Sequence, residues 1–459
     1  MHYRLIKNGP DNRRAICIFM GWAMDPAPFC NESICKDGFD TVVFYHYTSL
    51  DEAQKVFDTI TDDYDEISVI AWSYGVAVAD TVTGSEKVVC RIAVNGTPIP
   101  VDSHKGINPR YHNLTLRMLS PANLAKFYKS VGMPDSALPS RTIDDLKAEL
   151  HFFSSFSDDK VKTRWKKAYV SMADTIFPPD SQIRAWEGNT LIEKIAGGSH
   201  YLDFSRIIAN DIIDKDLITR RFTENATRYD SHASVQKAIT VRLTELWTML
   251  QNFTGKRILE LGTGTGFLTR RYCTLAISDQ SVAVDLVDSN VLADLHAQIG
   301  LSYPGTLVCG DAERYIVEIP DNSFDAVVSA STIQWFEDLP RFFHNVERIL
   351  KPGGVAAIAT FADGTFTELK AASGRSLTYP TADYFKSIMP AGLAIHDLVT
   401  DEIKMEFADS RQLLQHIRET GVNAVGAPTR PGDTRRMLSY FDSNPHLTYR
   451  PLYMTIIKQ

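Results

Sequence analysis

Short apolar, β-branched runs alternate along the chain with longer stretches of helical periodicity, the pattern of parallel α/β sheets. In the first half, Ala15–Phe19, Thr41–Phe44, Ile67–Ala71, Cys90–Val94 and Ala168–Ser171 are predicted strands. In the second half, Arg257–Leu261, Ser281–Val287, Thr306–Cys309, Ala326–Ser329 and Gly354–Ala359 are predicted strands. Residues 103–167 have a helical pattern and fall between two strands of the first set, which predicts an insertion over that sheet. A chain of 459 residues is too long for one core, so the two strand sets read as two α/β domains. The seam is expected in a polar helix ending near Asp216, giving domains 1–215 and 216–459.

Composition changes this picture little. Six cysteines are scattered without a C-x-x-C pair, which argues against a zinc ribbon or redox motif and makes a disulfide scaffold unexpected; no metal site is expected. A net charge of −8 does not favour nucleic acid. The first ten residues lack the long apolar run of a leader, and no apolar run approaches the ~18–20 residues of a membrane span. A cytoplasmic protein is therefore expected, with no membrane partner. Charge is uneven, however: between Ser103 and Val170 twelve Lys/Arg stand against six acids. That stretch reads either as a solvated helical face or as a docking surface for an acidic partner.

In the second half the strand Arg257-Ile258-Leu259-Glu260-Leu261 runs into Gly262-Thr263-Gly264-Thr265-Gly266 and then a helix. Glycines after a first parallel strand let the backbone approach a ligand that a Cβ would exclude. The G-x-G-x-G spacing differs from the G-x-G-x-x-G that seats a pyrophosphate. The run Val282–Asp288 then ends in an acid 22 residues past Gly266, where a carboxylate can take both ribose hydroxyls. Asp288, at the expected strand end, is favoured over Asp285. A third strand ends at Cys309-Gly310-Asp311-Ala312, where Asp311 can accept from an adenine amino group. A fourth, Phe324–Ser329, leads to Gln334-Trp335.

Glu260–Gly266, Asp311-Ala312 and Leu350–Gly354 resemble the class I, Rossmann-like methyltransferases. Phe222–Asp230, Ile333–Pro340, Thr360–Leu369, His416–Ala424 and Leu447–Tyr449 narrow the resemblance to the malonyl-acyl-carrier-protein O-methyltransferases of biotin synthesis, over essentially all of 220–459. The resemblance implies S-adenosyl-L-methionine as cofactor, held by Glu260, Gly262, Gly264, Gly266, Asp288, Asp311, Ala312 and Ser329. It also implies methylation of a carrier-bound carboxylate. Tyr229, Gln334, Trp335 and Arg375 are candidates for the substrate end.

In the first half, Ile67–Ala71, Trp72-Ser73-Tyr74-Gly75 and the small residues after it read as a nucleophile elbow, with Ala71 replacing the first Gly of G-x-S-x-G. An earlier strand ends at Gly21-Trp22, so the backbone N–H groups of Trp22 and Tyr74 are the expected oxyanion hole. His200, in Gly197-Gly198-Ser199-His200-Tyr201, is the expected base. Two acids fit the order Ser…Asp…His: Asp102, after Asn95-Gly96-Thr97-Pro98, and Asp174, after Ala168–Ser171. Trp72–Gly75, Asn95–Pro98 and Gly198–Tyr201 resemble the pimeloyl-acyl-carrier-protein methyl ester esterases, in their short atypical branch, over about residues 1–212. That likeness tilts the acid toward Asp102. It implies an α/β-hydrolase fold whose helical lid is 103–167, and an acyl carrier protein as partner. Two other readings stay open: a non-catalytic carrier-docking module in front of the methyltransferase, and small-molecule carboxylates and esters as substrates.

Overall fold

The computed structural model describes residues 1–459 apart from 28–33, 133–138, 157–162, 189, 251, 276, 299, 375 and 421–430. The chain divides into two compact units, Met1–Ile208 and Ala209–Gln459. The helix expected to end near Asp216 instead begins there. Asp214 accepts from the Leu217 N–H at 3.1 Å and caps a helix that runs Lys215–His232.

The first unit is a seven-stranded sheet. Its elements are β1 (His2–Ile6), β2 (Arg14–Phe19), β3 (Asp40–Tyr45), α1 (Leu50–Thr61), β4 (Glu66–Trp72), α2 (Gly75–Val82) and β5 (Val88–Val94). Then come α3 (Pro109–Met118), α4 (Pro121–Val131), α5 (Ile143–Phe152), β6 (Lys167–Ser171), α6 (Pro179–Trp186), β7 (Leu191–Ile195) and α7 (Phe204–Asp211), which crosses the boundary. The strand order is β1-β3-β2-β4-β5-β6-β7, parallel except for β1. Central β4 is buried from Ile67 to Trp72 and apolar there except at Ser68, because both its faces are covered. Helices α3, α4 and α5 form the insertion between β5 and β6. Each starts on a side-chain cap, from Asn108, Ser120 and Thr142, and the last is a reciprocal capping box with Asp145.

The second unit opens with α8 (Lys215–His232) and α9 (Ser234–Thr248). There follow β8 (Ile258–Leu261), α10 (Phe267–Cys273), β9 (Val282–Asp285), α11 (Ser289–Gln298), β10 (Thr306–Cys309), α12 (Ala312–Glu318) and β11 (Phe324–Ala330). The unit closes through α13 (Leu339–Ile349), β12 (Leu350–Phe361), α14 (Thr367–Ser373), α15 (Ala382–Ser387), β13 (Leu393–Thr400), β14 (Ile403–Glu406), α16 (Ser410–Glu419), a helix over Pro431–Phe441, β15 (His446–Tyr449) and β16 (Pro451–Lys458). The main sheet runs β10-β9-β8-β11-β12-β16-β13, with β16 antiparallel to both neighbours. Strand order reverses between β8 and β11, and a doubly wound sheet opens its crevice at the carboxyl ends of such a pair. The glycine loop and Ser331-Thr332 lie at that point. This mixed α/β unit is of the Rossmann-like kind.

Candidate active sites

In the first unit the turn after β4 puts Ser73 in the left-handed region, at φ 57°. That strain persists because the surroundings leave no alternative. A Cβ at Gly75 would lie 2.4 Å from the Met20 carbonyl oxygen, and one at Gly96 would lie 2.2 Å from that of Ser73. Ala71 is fully buried in β4, where its methyl fits. The Ser73 Oγ lies 2.9 Å from His200 Nε2, and His200 Nδ1 lies 2.8 Å from Asp174 Oδ2. All three side chains are buried. Asp174 also accepts, at Oδ1, the N–H groups of Ile176 (2.8 Å) and Phe177 (3.0 Å).

Asp102, the acid the sequence favours, is elsewhere. Its Oδ1 accepts the backbone N–H groups of His104 and Lys105, both at 2.7 Å. Burial acts to raise this carboxyl, but those two donors hold it below the usual carboxylate range. It is a turn residue. The Asn-Gly-Thr-Pro motif acts through its first residue instead. Asn95, at φ 45°, donates from Nδ2 to Ser171 Oγ (2.9 Å) and to the carbonyls of Ser199 (3.1 Å) and His200 (2.7 Å). Trp72 Nε1 donates to the same His200 carbonyl at 2.8 Å. Asn95 and Trp72 thus fix the histidine loop, a role their sequence positions do not announce.

Facing Ser73 is the loop after β2. A Cβ at Gly21 would stand 3.0 Å from the Ser73 Cβ. The insertion holds this loop. Glu149 of α5 accepts from Ala23 N–H (3.2 Å) and Tyr47 N–H (2.9 Å), and Arg141 pairs with it at 2.9 Å. Tyr128 of α4 donates to the Ala23 carbonyl, and Trp22 Nε1 donates to the Leu146 carbonyl at 2.8 Å. Ala23 is held at φ 64°. Burial pushes the Glu149 carboxyl up, against the pull of Arg141.

In the second unit a largely apolar cavity sits at the β8/β11 switch point. It is lined by the loop residues Gly262, Thr263, Gly264 and Thr265, by Asp285 and by Asp311-Ala312. Ser331, Thr332, Trp335 and Phe336 complete it, with α8 and α9 residues including Lys215, Phe222, Tyr229 and Gln236. Gly262 must be glycine, since it adopts φ +78° and a Cβ would lie 2.0 Å from Thr332 Oγ1. Three lining atoms are buried without a hydrogen-bond partner among the described residues: Gln236 Oε1, Thr265 Oγ1 and Ser331 Oγ. Buried polar atoms left this way on a cavity wall fit a ligand carrying its own donors and acceptors.

Expected and observed site residues differ in several places. Asp285, not Asp288, reaches the cavity. Strand β9 ends at Asp285, two residues before the predicted end at Val287, and Asp288 instead accepts from Asn290 N–H (2.9 Å) at the start of α11. Asp285 accepts from Gly264 N–H (2.8 Å) and Val287 N–H (3.0 Å), and burial pushes its carboxyl up. Glu260 points into the core, where its Oε2 accepts from Thr269 Oγ1 (2.7 Å) and Tyr272 OH (2.5 Å). Burial pushes it up to about 7. Ser329 is buried and donates to the Leu261 carbonyl at 2.9 Å, tying β11 to β8. Gln334 donates to the Ser331 carbonyl at 2.6 Å, holding the turn rather than lining the cavity, and Gly266 caps α10. Gly262, Gly264, Asp311, Ala312, Tyr229 and Trp335 line the cavity as expected positions. Arg375 and the motif residues Gly421–Ala424 lie outside the described residues.

Lys215 is a lining residue that no motif marks. Its ammonium lies 2.7 Å from Asp311 Oδ2 and 2.8 Å from Glu313 Oε2. Burial opposes its charge, but the carboxylates of Glu313 and Asp311 together raise it above the ordinary lysine value. Among the described residues no group of three or more His, Cys, Asp or Glu is placed to hold a metal ion. No helix among them is long and apolar enough to cross a membrane.

Two family models match the chain: "Pimeloyl-ACP methyl esterase BioG" over residues 2–212 and "Methyltransferase domain" over residues 259–358. A malonyl-[acyl-carrier protein] O-methyltransferase of Bacteroides fragilis (strain 638R) is 29% identical over 478 residues, covering 98% of this chain and 94% of its own. One from Chlorobium phaeovibrioides (strain DSM 265 / 1930) is 30% identical over 258 residues, covering 53% of this chain and 96% of its own. The crystal structure of BioG from Haemophilus influenzae is 26% identical, covers 44% of this chain and 94% of that one, and superposes with a TM-score of 0.39.

Proposed function

The chain belongs to the malonyl-[acyl-carrier protein] O-methyltransferase family, and we propose that it joins that activity to the hydrolysis of a carrier-bound methyl ester. It is a fusion of a BioG domain with a methyltransferase domain, and its role is in biotin synthesis. The cofactor of the second unit is S-adenosyl-L-methionine. The second unit transfers a methyl group to the free carboxylate of malonyl-carrier protein, and the first unit removes the methyl from pimeloyl-carrier methyl ester.

The three unpartnered polar atoms and the glycine loop make the cavity of the second unit a fit for the cofactor. When bound, it supplies an electrophilic methyl group on a sulfonium. Asp285 takes the ribose hydroxyls, Asp311 and Ala312 the adenine edge, and Gln236, Thr265 and Ser331 the polar groups of the amino-acid end. The nucleophile is a carboxylate that is already charged, so no residue has to remove a proton. The chain's contribution is to position the reactants and, with Tyr229, Trp335 and Phe336, to keep the site dry.

The first unit reads as an α/β-hydrolase fold with its helical lid over 103–167. The observation that carries this reading is the buried Ser73–His200–Asp174 chain, at 2.9 and 2.8 Å. His200 Nε2 takes the Ser73 proton as Oγ attacks the ester carbonyl, and Asp174 fixes the Nδ1–H tautomer and stabilises the imidazolium. The N–H groups of Trp22 and Tyr74 receive the oxyanion. His200 returns the proton to the departing methoxide, releasing methanol. Water activated by His200 then frees the acid from Ser73. A non-catalytic docking module would have no need of such a chain.

The test supplies the purified protein with S-adenosylmethionine and malonyl-carrier protein, then separately with pimeloyl-carrier methyl ester, following each by mass. Ser73→Ala abolishes ester hydrolysis and leaves methyl transfer intact. Loss of both activities, or of neither, overturns the assignment.

A further inference from the structure

Helix α8 lies along one wall of the second unit's cavity and lines it with Ile218, Phe222, Ala226 and Tyr229, one face at three- and four-residue spacing. Its first residue is Lys215. A cation in the first turn of a helix opposes the helix dipole, so α8 itself gains nothing from it. What Lys215 reaches is the turn between β10 and α12. Its ammonium lies 2.7 Å from Asp311 Oδ2, 2.8 Å from Glu313 Oε2 and 6.0 Å from the centre of the Phe336 ring. Glu313 in turn accepts, at Oε1, the N–H groups of Glu337 (2.8 Å) and Asp338 (2.7 Å), just past Trp335 and Phe336. One side chain therefore ties three walls of the cavity together.

This geometry fixes what Asp311 can offer a ligand. An ammonium carries three donors and no acceptor, so the oxygen facing it can only accept. The other oxygen, Oδ1, accepts the Glu313 N–H at 3.0 Å where Asp311 caps α12. With both oxygens in use as acceptors, a lone pair left toward the cavity takes a donor from the ligand. Arg314 also approaches Oδ2, at 3.9 Å, but that is beyond hydrogen-bond distance and its side chain is 56% exposed.

We infer that Lys215 is a positioning residue that sets the base specificity of the cofactor site: by holding Asp311 as an acceptor, it lets the cavity take a 6-amino purine and reject a 6-oxo one. The inference rests on the placing of the adenine edge at Asp311. An amino group at C6 donates to the carboxylate, whereas an oxo group sets one acceptor against another. A polar mismatch of that kind discriminates far more strongly than lost contact area. Without Lys215, Asp311 and Glu313 would stand side by side with only the exposed Arg314 near them. Two carboxylates so placed separate or share a proton. Either outcome removes a fixed acceptor, and a shared proton gives a 6-oxo base the donor that the parent denies it.

The test measures, by calorimetry on the full chain, the dissociation constants of S-adenosylhomocysteine and of S-inosylhomocysteine, its 6-oxo counterpart. The parent prefers the adenosyl compound at least a hundredfold. Lys215→Met lowers that preference at least tenfold, Lys215→Arg keeps it within threefold, and Lys215→Ala repeats the loss should the Met variant not fold. In an Asp311→Asn background Lys215→Met changes the preference less than threefold, because the residue through which Lys215 acts is already gone. A brace for α8 alone would weaken both compounds equally, so an unchanged preference in Lys215→Met overturns the inference while the adenine reading stands. An equal loss in the Asp311→Asn background also overturns it, since Lys215 would then touch the base itself. A parent with no preference overturns the adenine reading and the inference together.

Discussion

Replacing Asp174 by Asn should nearly silence the esterase, and the reason lies in how its carboxylate is held. Two backbone N–H groups, of Ile176 and Phe177, donate to Oδ1, while Oδ2 faces His200 Nδ1 at 2.8 Å. An Asn at this position keeps its oxygen where the two backbone donors are. Its NH2 group then points at Nδ1. Nδ1 has to become the acceptor, so the imidazole proton moves to Nε2, the atom that should take the proton from Ser73. The wrong tautomer costs about 10⁴ in kcat in enzymes of this design, or about 5 kcal/mol of transition-state stabilisation. Asp102→Asn is the control. An Asn oxygen still accepts from His104 and Lys105, so kcat should change less than about threefold and stability by less than about 1 kcal/mol. Steady-state hydrolysis of pimeloyl-carrier methyl ester by the two variants, with melting temperatures to confirm folding, decides the matter. Asp174→Asn within tenfold of the parent, or Asp102→Asn a thousandfold down, would refute the reasoning.

Asp285→Ala should weaken S-adenosylmethionine binding by one to two orders of magnitude, since hydrogen bonds to a charged acceptor contribute about 1.5–3 kcal/mol. Asp288→Ala should change it less than about threefold, and calorimetric titration yielding the reverse order would disprove the assignment. Glu260 gives a pH signature. Its folded pKa is raised by burial from 4.5 to about 7, so between those values the folded chain holds a proton that the unfolded chain has released. Stability from this group is therefore greatest below about 4.5 and declines as pH rises to about 7, by about 3 kcal/mol. Glu260→Gln should remove that contribution, raising the melting temperature relative to the parent more at pH 8 than at pH 5; a constant difference across that range would count against it.

The sheets were legible because their central strands are buried on both faces and read as unbroken apolar runs. The edges were not. β1 (HYRLI) and β7 (LIEKI) mix polar and apolar residues because part of their surface meets water. The same physics explains the misplaced ribose acid. Val282–Val287 is apolar on either side of Asp285, so the run reads as one strand, yet the chain turns at Asp285, where the backbone N–H groups of Gly264 and Val287 satisfy the carboxylate. Local sequence marks the nucleophile and the histidine through small residues that a tight turn requires. It cannot choose between two acids that both follow strands, because that choice depends on which loop β6 and β7 bring over the sheet. Lys215 and Glu149 carry no signal at all, since each acts through partners about a hundred residues away.

The insertion of the first unit braces the site from its inner side. On its inner side Glu149 and Tyr128 pin Ala23, Trp22 donates to Leu146, and His112 bonds Tyr74, so the helices brace both segments proposed to receive the oxyanion. A lid that swung clear to admit substrate would break four hydrogen bonds on buried groups, each of which costs about 1–3 kcal/mol when left unmade. The insertion therefore acts as a fixed wall. A substrate on a flexible arm suits such a wall, because the arm can enter past the helices while its bulky carrier stays outside.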